Sequence, residues 1–267
     1  MVAVLIAAAI AAAGPSVAAA PEQAAEANPA MFVVRDADTT VYIFGTFHAL
    51  DGHADWFNHQ VKTAFESSNE LVLETVIPEG PVQIGPAISG RPLPVTPSAS
   101  FLATTRLAIN AGRSQGMQVG NGADNVLRHA AEVEGKPVEG LETLELQLNM
   151  FTRMPAASTA SSPKAGEPVG DGNALDSLSR AMAEMQTAWR HGDQSIFVHM
   201  LGQLEQSSPD TYRMMFTERN ARWADWIAGR MQTPGTVFVA VGAGHLAGKD
   251  SLLVRLAEQG IVSSRLN

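Results

Sequence analysis

Apolar residues recur along this chain in two patterns: short unbroken runs that suit buried strands, and longer stretches spaced three and four apart that suit helices. Met31 to Val34 and Thr39 to Phe44, separated by the polar Arg35-Asp36-Ala37-Asp38, predict a hairpin whose second strand is apolar on both faces and therefore central. A helix is predicted over Asp55 to Ser67, then a strand over Glu70 to Val76 interrupted by Glu74, a carboxylate that needs a reason to be there. Pro78 to Pro97 is rich in proline and glycine and predicts an irregular excursion. Helices follow over Phe101 to Gly112 and Asp124 to Glu134, a strand over Lys136 to Leu141, and a helix over Glu142 to Met154.

Pro155 to Asn173, mostly small residues and proline, predicts a surface loop. Beyond it the pattern is helical over Ala174 to Arg190 and Gln194 to Leu204, then over one long helix from Ser208-Pro209-Asp210 to about Met231. A second buried strand, Thr236 to Val241, runs into a glycine-rich loop, with a helix over Asp250 to Gln259 and a last strand over Ile261 to Arg265. Strands alternating with helices predict an α/β fold: a mixed central sheet flanked by helices.

The amino end stands apart. Met1 to Ala13 is apolar and uncharged, shorter than the roughly 20 residues of a spanning helix, and leads through Gly14 and Pro15 into alanine-rich chain. It reads as a secretory signal over residues 1 to 20, with small residues at Ser16 and Ala18 or at Ala18 and Ala20 for cleavage. No Lys or Arg precedes the run, so either translation starts upstream or the free amine supplies the charge. Residues 21 to 30 then form a flexible leader and 31 to 267 one domain, in an exported protein that is periplasmic or extracellular.

Charge and composition narrow the chemistry. Of 267 residues, 18 are Lys or Arg and 27 Asp or Glu, giving a net charge of -9 without a basic stripe, which argues against a nucleic-acid partner. There is no cysteine, so disulfides and thiolate chemistry are excluded and any metal must rest on His, Asp and Glu. Both central strands end alike, in Gly45-Thr46-Phe47-His48 and in Gly242-Ala243-Gly244-His245. Open sheets place ligands just past the carboxyl ends of their strands. If the three strands are neighbours, His48, His245 and Glu74 converge as two imidazoles and a carboxylate, a donor set for a divalent ion such as Mn, Co or Zn. Taken singly, each has a plainer reading: a packing histidine, or a carboxylate paired with an arginine.

These segments give the chain a likeness. It resembles the TraB/GumN family, relatives of the Tiki metalloproteases, through His48, Glu74 and His245 in order. Gly122-Ala123-Asp124, Gly135-Lys136-Pro137-Val138, Leu141-Glu142-Thr143 and Glu218-Arg219-Asn220 extend the likeness. The resemblance implies a fold of pseudo-symmetric halves, each with a Gly-x-x-His loop, as in the erythromycin-esterase and ChaN-like groups. It implies a metal-dependent, peptidase-like hydrolase in which His48 and His245 ligate the ion and Glu74 either ligates it or takes a proton from water. Glu142 is a second candidate base, or a helix cap; Arg219 is a candidate oxyanion donor, or a salt-bridge member. Two alternatives stand beside this: a metal-free esterase-like enzyme with His48 as base held by Glu74, and a non-catalytic envelope protein holding haem or another small ligand. His53, His59, His129, His191 and His199 read as loop or surface residues, and Trp223 and Trp226 as core.

Overall fold

A computed structural model of the chain describes residues 27–53, 55–76, 109–153 and 171–267. The apolar amino-terminal segment, the Pro78 to Pro97 excursion and most of the Pro155 to Asn173 loop lie outside the described residues. The predicted hairpin forms from β1 (Met31–Arg35) and β2 (Thr39–Thr46), antiparallel with Val33 opposite Tyr42. With β3 (Glu70–Thr75), β4 (Val138–Glu142), β5 (Gly235–Gly242) and the two-residue β6 (Ser264–Arg265) they make one six-stranded mixed sheet, ordered β4-β3-β5-β2-β1-β6. The fold is α/β, with helices on both faces.

Alternation along β5 shows why it is central. Phe238 and Ala240 point into one apolar layer, while Val237, Val239 and Val241 point into the other, and all five are buried. The first layer contains Phe44, Leu71 and Phe238 under α1 (His59–Glu66) and α2 (Ala123–Glu134). Its aromatic centre is Trp56, Trp189 and Phe44, with ring centroids 5.6 to 6.5 Å apart. The second layer packs Val41, Ile43 and Val239 against α7 (Glu218–Arg230) and α8 (Leu252–Glu258). The remaining helices are α3 (Leu144–Arg153), α4 (Asp171–Arg190), α5 (Ser195–Ser207) and the short α6 (Pro209–Tyr212).

Several boundaries differ from the sequence reading for identifiable reasons. The first helix begins at His59 because the Asn58 side chain accepts from the Gln60 and Val61 amides and caps it there. The single helix expected from Ser208 to Met231 is interrupted: α6 passes through a π-helical stretch, Arg213–Thr217, before α7 begins. Helix α4 starts at Asp171, inside the predicted loop. Instead of five residues, the last strand pairs only Ser264 and Arg265, and Val262 is 80% exposed.

Strands β2, β5, β3 and β4 run parallel, so their carboxyl ends share one edge, with Thr46 level with Gly242 and Thr75 with Glu142. Trp189 locks this edge to α4 by donating its indole N–H to the Gly45 carbonyl at 2.7 Å. Trp189→Phe keeps most of the ring but removes that donor. Urea unfolding should show a loss of about 1–3 kcal/mol, the cost of a buried acceptor left unpaired.

Candidate functional site

Each of the three motif residues arrives at the shared edge from a different strand. His48 lies two residues beyond β2, Glu74 is the fifth residue of β3, and His245 sits in a single helical turn, Ala243–Leu246, directly after β5. Gly242 lies between them. A Cβ built there would be 3.2 Å from Glu74 Oε1, 3.5 Å from His48 Nε2 and 3.7 Å from His245 Cδ2, so the three groups close around one point that the glycine leaves uncrowded. Its amide donates to Glu74 Oε1 at 2.7 Å.

The His48 loop is pinned by the segment that opens α2. Leu50 and Gln118 exchange backbone hydrogen bonds, and the Ala123 amide donates to the Phe47 carbonyl at 3.0 Å. Gly122 is pressed so closely to this loop that a Cβ would sit 2.3 Å from the His48 carbonyl oxygen. Asp124, in the first turn of α2, brings Oδ1 to 3.4 Å from His48 Nδ1. His245 is held from α7: its Nδ1 lies 2.6 Å from Asn220 Oδ1, and Asn220 in turn donates to the Asp250 carbonyl. As a carbonyl oxygen can only accept, the proton of neutral His245 is on Nδ1 and the Nε2 lone pair faces the site. Trp223 and Phe216 flank the ring, with centroids at 4.4 and 4.9 Å.

Arg219 ties the polar groups together. Buried and stacked over Trp223, it donates from Nη2 to Glu74 at 2.7 Å, from Nε to Glu142 at 2.9 Å and from Nη1 to His245 Nε2 at 3.2 Å. Glu142, the last residue of β4, also accepts from Arg222 at 3.0 Å. It stands behind Arg219 and has both oxygens engaged, the position of a residue that holds a cation in place.

Electrostatics separate the three titrating groups. Burial alone would raise the Glu74 carboxyl, but His245, Arg219, His48 and the Gly242 amide hold it down at about 2. Burial pushes His245 down to about 3, with Arg219 and His48 adding to the effect and Glu74 opposing it. At neutral pH His245 is therefore uncharged, and the cations keeping Glu74 ionised are Arg219 and His48. The pairing with Asp124 outweighs desolvation and raises His48 to about 9, although its side chain is 61% exposed and solvent screens the pair.

His48, Glu74, Arg219 and His245 line a cavity of about 430 Å³, and Thr46 lines it with them. The Thr46 hydroxyl is buried there without a hydrogen-bond partner among the described residues. Sequence reasoning gave no role to Thr46, Asp124, Asn220 or Phe216 and placed Trp223 only in the core. Asp124 and Asn220 did stand inside quoted motifs, which was the available signal. His53 and His59 fall outside the cavity lining.

The residues suit a divalent ion by donor type: both histidines have an oxygen atom near Nδ1, as ligating imidazoles do, His245 Nε2 lies 3.7 Å from Glu74, and His48 Nε2 lies near the Gly242 position that Glu74 also borders. As it stands, no group of three His, Asp or Glu side chains among the described residues is set to hold an ion, and Arg219 occupies the facing lone pairs of Glu74 and His245. The sequence matches the TraB/PrgY/gumN family over residues 30–88 and 82–265. Neither a curated protein nor a solved structure matches the chain.

Two outcomes are expected. Arg219→Met leaves two buried carboxylates without their shared cation and should cost about 3–5 kcal/mol in urea unfolding at pH 7. That deficit should shrink at pH 4, where Glu74, freed of the guanidinium that holds it down, moves toward its neutral form. For the wild type, the lowered His245 contributes stability that is complete above 6.5 and is lost as pH falls toward 3. Glu74 adds a further loss between 4.5 and about 2. The raised His48 contributes stability that is complete below 6.5 and is lost as pH rises through 9. Stability measured from pH 4 to 10 should peak near 6.5, with the alkaline decline weakened in His48→Asn and the acid decline retained.

Proposed function

The chain belongs to the TraB/PrgY/gumN family, and from that membership and the geometry of its sheet edge we propose that it is an exported, metal-dependent hydrolase of peptide type. One observation carries the reading: His245 commits Nδ1 to Asn220, His48 brings Nδ1 to 3.4 Å from Asp124, and His48 Nε2, the His245 ring and an ionised carboxylate meet around one point at Gly242. His48, Glu74 and His245 would hold a divalent ion of Mn, Co or Zn type. Bound there, it would lower the pKa of a coordinated water toward roughly 7 and polarise a carbonyl group.

The same electrostatics disfavour a mechanism that relies on a side-chain base alone. His245 and Glu74 are both pulled far below neutrality and accept a proton poorly, and the carboxylate of Asp124 beside His48 favours its protonated form as long as no ion takes the proton's place. A site so arranged gains more from an acidified water than from a strong base. In the reaction, the water oxygen bonds to the carbonyl carbon, the C–N bond breaks, and the proton lost by water ends on the leaving nitrogen. Arg219 keeps Glu74 aligned and sets a fixed positive charge beside the developing oxyanion. The Thr46 hydroxyl, without a hydrogen-bond partner among the described residues, is available to donate to the same oxygen. Glu142 acts at one remove, by positioning Arg219.

The apolar start of the chain supports export, and among the described residues no helix is long and apolar enough to cross a membrane. The test is elemental analysis of the purified protein beside its His48→Ala and His245→Ala variants, together with cleavage of an internally quenched peptide panel. The expected result is stoichiometric metal in the wild type, its loss in both variants, and cleavage that a chelator stops. Negligible metal in all three proteins would remove the ion from the reading. Cleavage that survives chelation would return it to a histidine-based esterase or amidase.

A further inference from the structure

Polar groups form the floor of the cavity, but its walls are largely apolar. Met182 and Met185 of α4, Phe197 and Met200 of α5, and Met215 and Phe216 of the π-helical stretch surround it. Four of the chain's 11 methionines thus face one space. Unbranched thioethers adapt to irregular partners, so such a wall selects apolar character more than a single shape. A second cavity, of about 650 Å³, adjoins the first and shares His48, Ala49 and Met182 with it. Ile109, Met117 and Val119 give it an apolar lining, interleaved with the polar Arg113 and Gln118. Apolar side chains stay open to solvent on both sides of His48: Met200 and Ile109 are each 37% exposed and Val119 is 55% exposed.

Each cavity falls within the roughly 300–1,000 Å³ of sites that enclose small ligands or short pieces of chain. Resting on the hydrolytic reading above, we infer that the substrate is an extended peptide crossing His48, with one apolar side chain in the methionine-walled cavity and another in the cavity beside it. Polar groups set between apolar ones suit a peptide, whose amides recur between its side chains. A sugar chain would need more hydrogen-bonding groups than these walls offer, and a fatty acyl chain would leave Arg113 and Gln118 without use. Exposure of the lining fits a segment presented unfolded.

Calorimetric titration of the intact protein tests this with capped amides: N-acetyl-phenylalaninamide, N-acetyl-methioninamide, N-acetyl-aspartamide and a capped Leu-Met-Phe-Leu tetrapeptide. The two apolar amides should bind at least about tenfold more tightly than the aspartyl one, and the tetrapeptide more tightly still. Met200→Glu should weaken the apolar amides about tenfold. Val119→Glu should spare them and remove the tetrapeptide's advantage. Equal binding of apolar and aspartyl amides, no binding of any amide, insensitivity to both glutamate substitutions, or displacement of the tetrapeptide by decanoyl amide would overturn the inference. The expected binding pattern without cleavage of any peptide would overturn the hydrolase reading and leave the peptide site standing.

Discussion

A single guanidinium, closed off from water between two carboxylates and an imidazole, determines what the sheet edge can hold. Glu74 and Glu142 stand at the ends of adjacent parallel strands, where burial alone would drive Glu74 toward the neutral acid. Arg219 answers both with separate donors of one rigid fork, a geometry that the single ammonium of lysine does not reproduce. Buried ion pairs of this kind are poor sources of net stability, because desolvation offsets most of their attraction, and a well-packed apolar set can serve as well. What the arrangement secures is a carboxylate that stays ionised at a chosen point. That point is Glu74, at the cavity; Glu142, behind it, receives a second arginine and keeps the guanidinium in register.

The sheet supplies the other half of the constraint. Because β5 lies between β2 and β3 and runs parallel to both, the two Gly-x-x-His segments and the carboxylate reach one edge in a fixed order. Gly242, on the middle strand, is the point of closest approach, where a side chain would fill the space the three groups share. Each histidine then depends on an element far away in sequence. Asp124 approaches His48 from the first turn of α2, and Asn220 approaches His245 from the first turn of α7.

Much of this was legible in the sequence because the central strands are apolar on both faces and end in repeated motifs. The strand order was legible only as a condition, since no local pattern says that residues 39–46, 70–75 and 235–242 are neighbours. Conversely, the π-helical stretch left no mark: Arg213-Met214-Met215-Phe216-Thr217 contains neither glycine nor proline, and one inserted residue barely disturbs helical periodicity. Ile261 to Arg265 looked like a strand by composition, yet the edge pairs only Ser264 and Arg265, because pairing depends on what lies opposite. Trp223 was read as core and is core, but its other face lies against His245 and Arg219, a contact that spacing along one helix does not encode.

The interrupted helix connects the rigid floor with the adaptable wall. A π-helical turn shifts the face that follows it and loosens the regular pairing of carbonyls, which is why such turns accumulate at functional sites. Here it contributes Met215 and Phe216 to the wall, and two residues later Arg219 reaches the floor while its Nη1 turns back toward the Met215 carbonyl at 3.4 Å. Phe216 stacks on Tyr212 behind it and on His245 ahead of it. A regular helix in this place would carry Phe216 and Arg219 around the axis relative to α6 and separate one of these contacts from the others. The irregularity is therefore what allows one short segment to face the charged groups and the apolar space together.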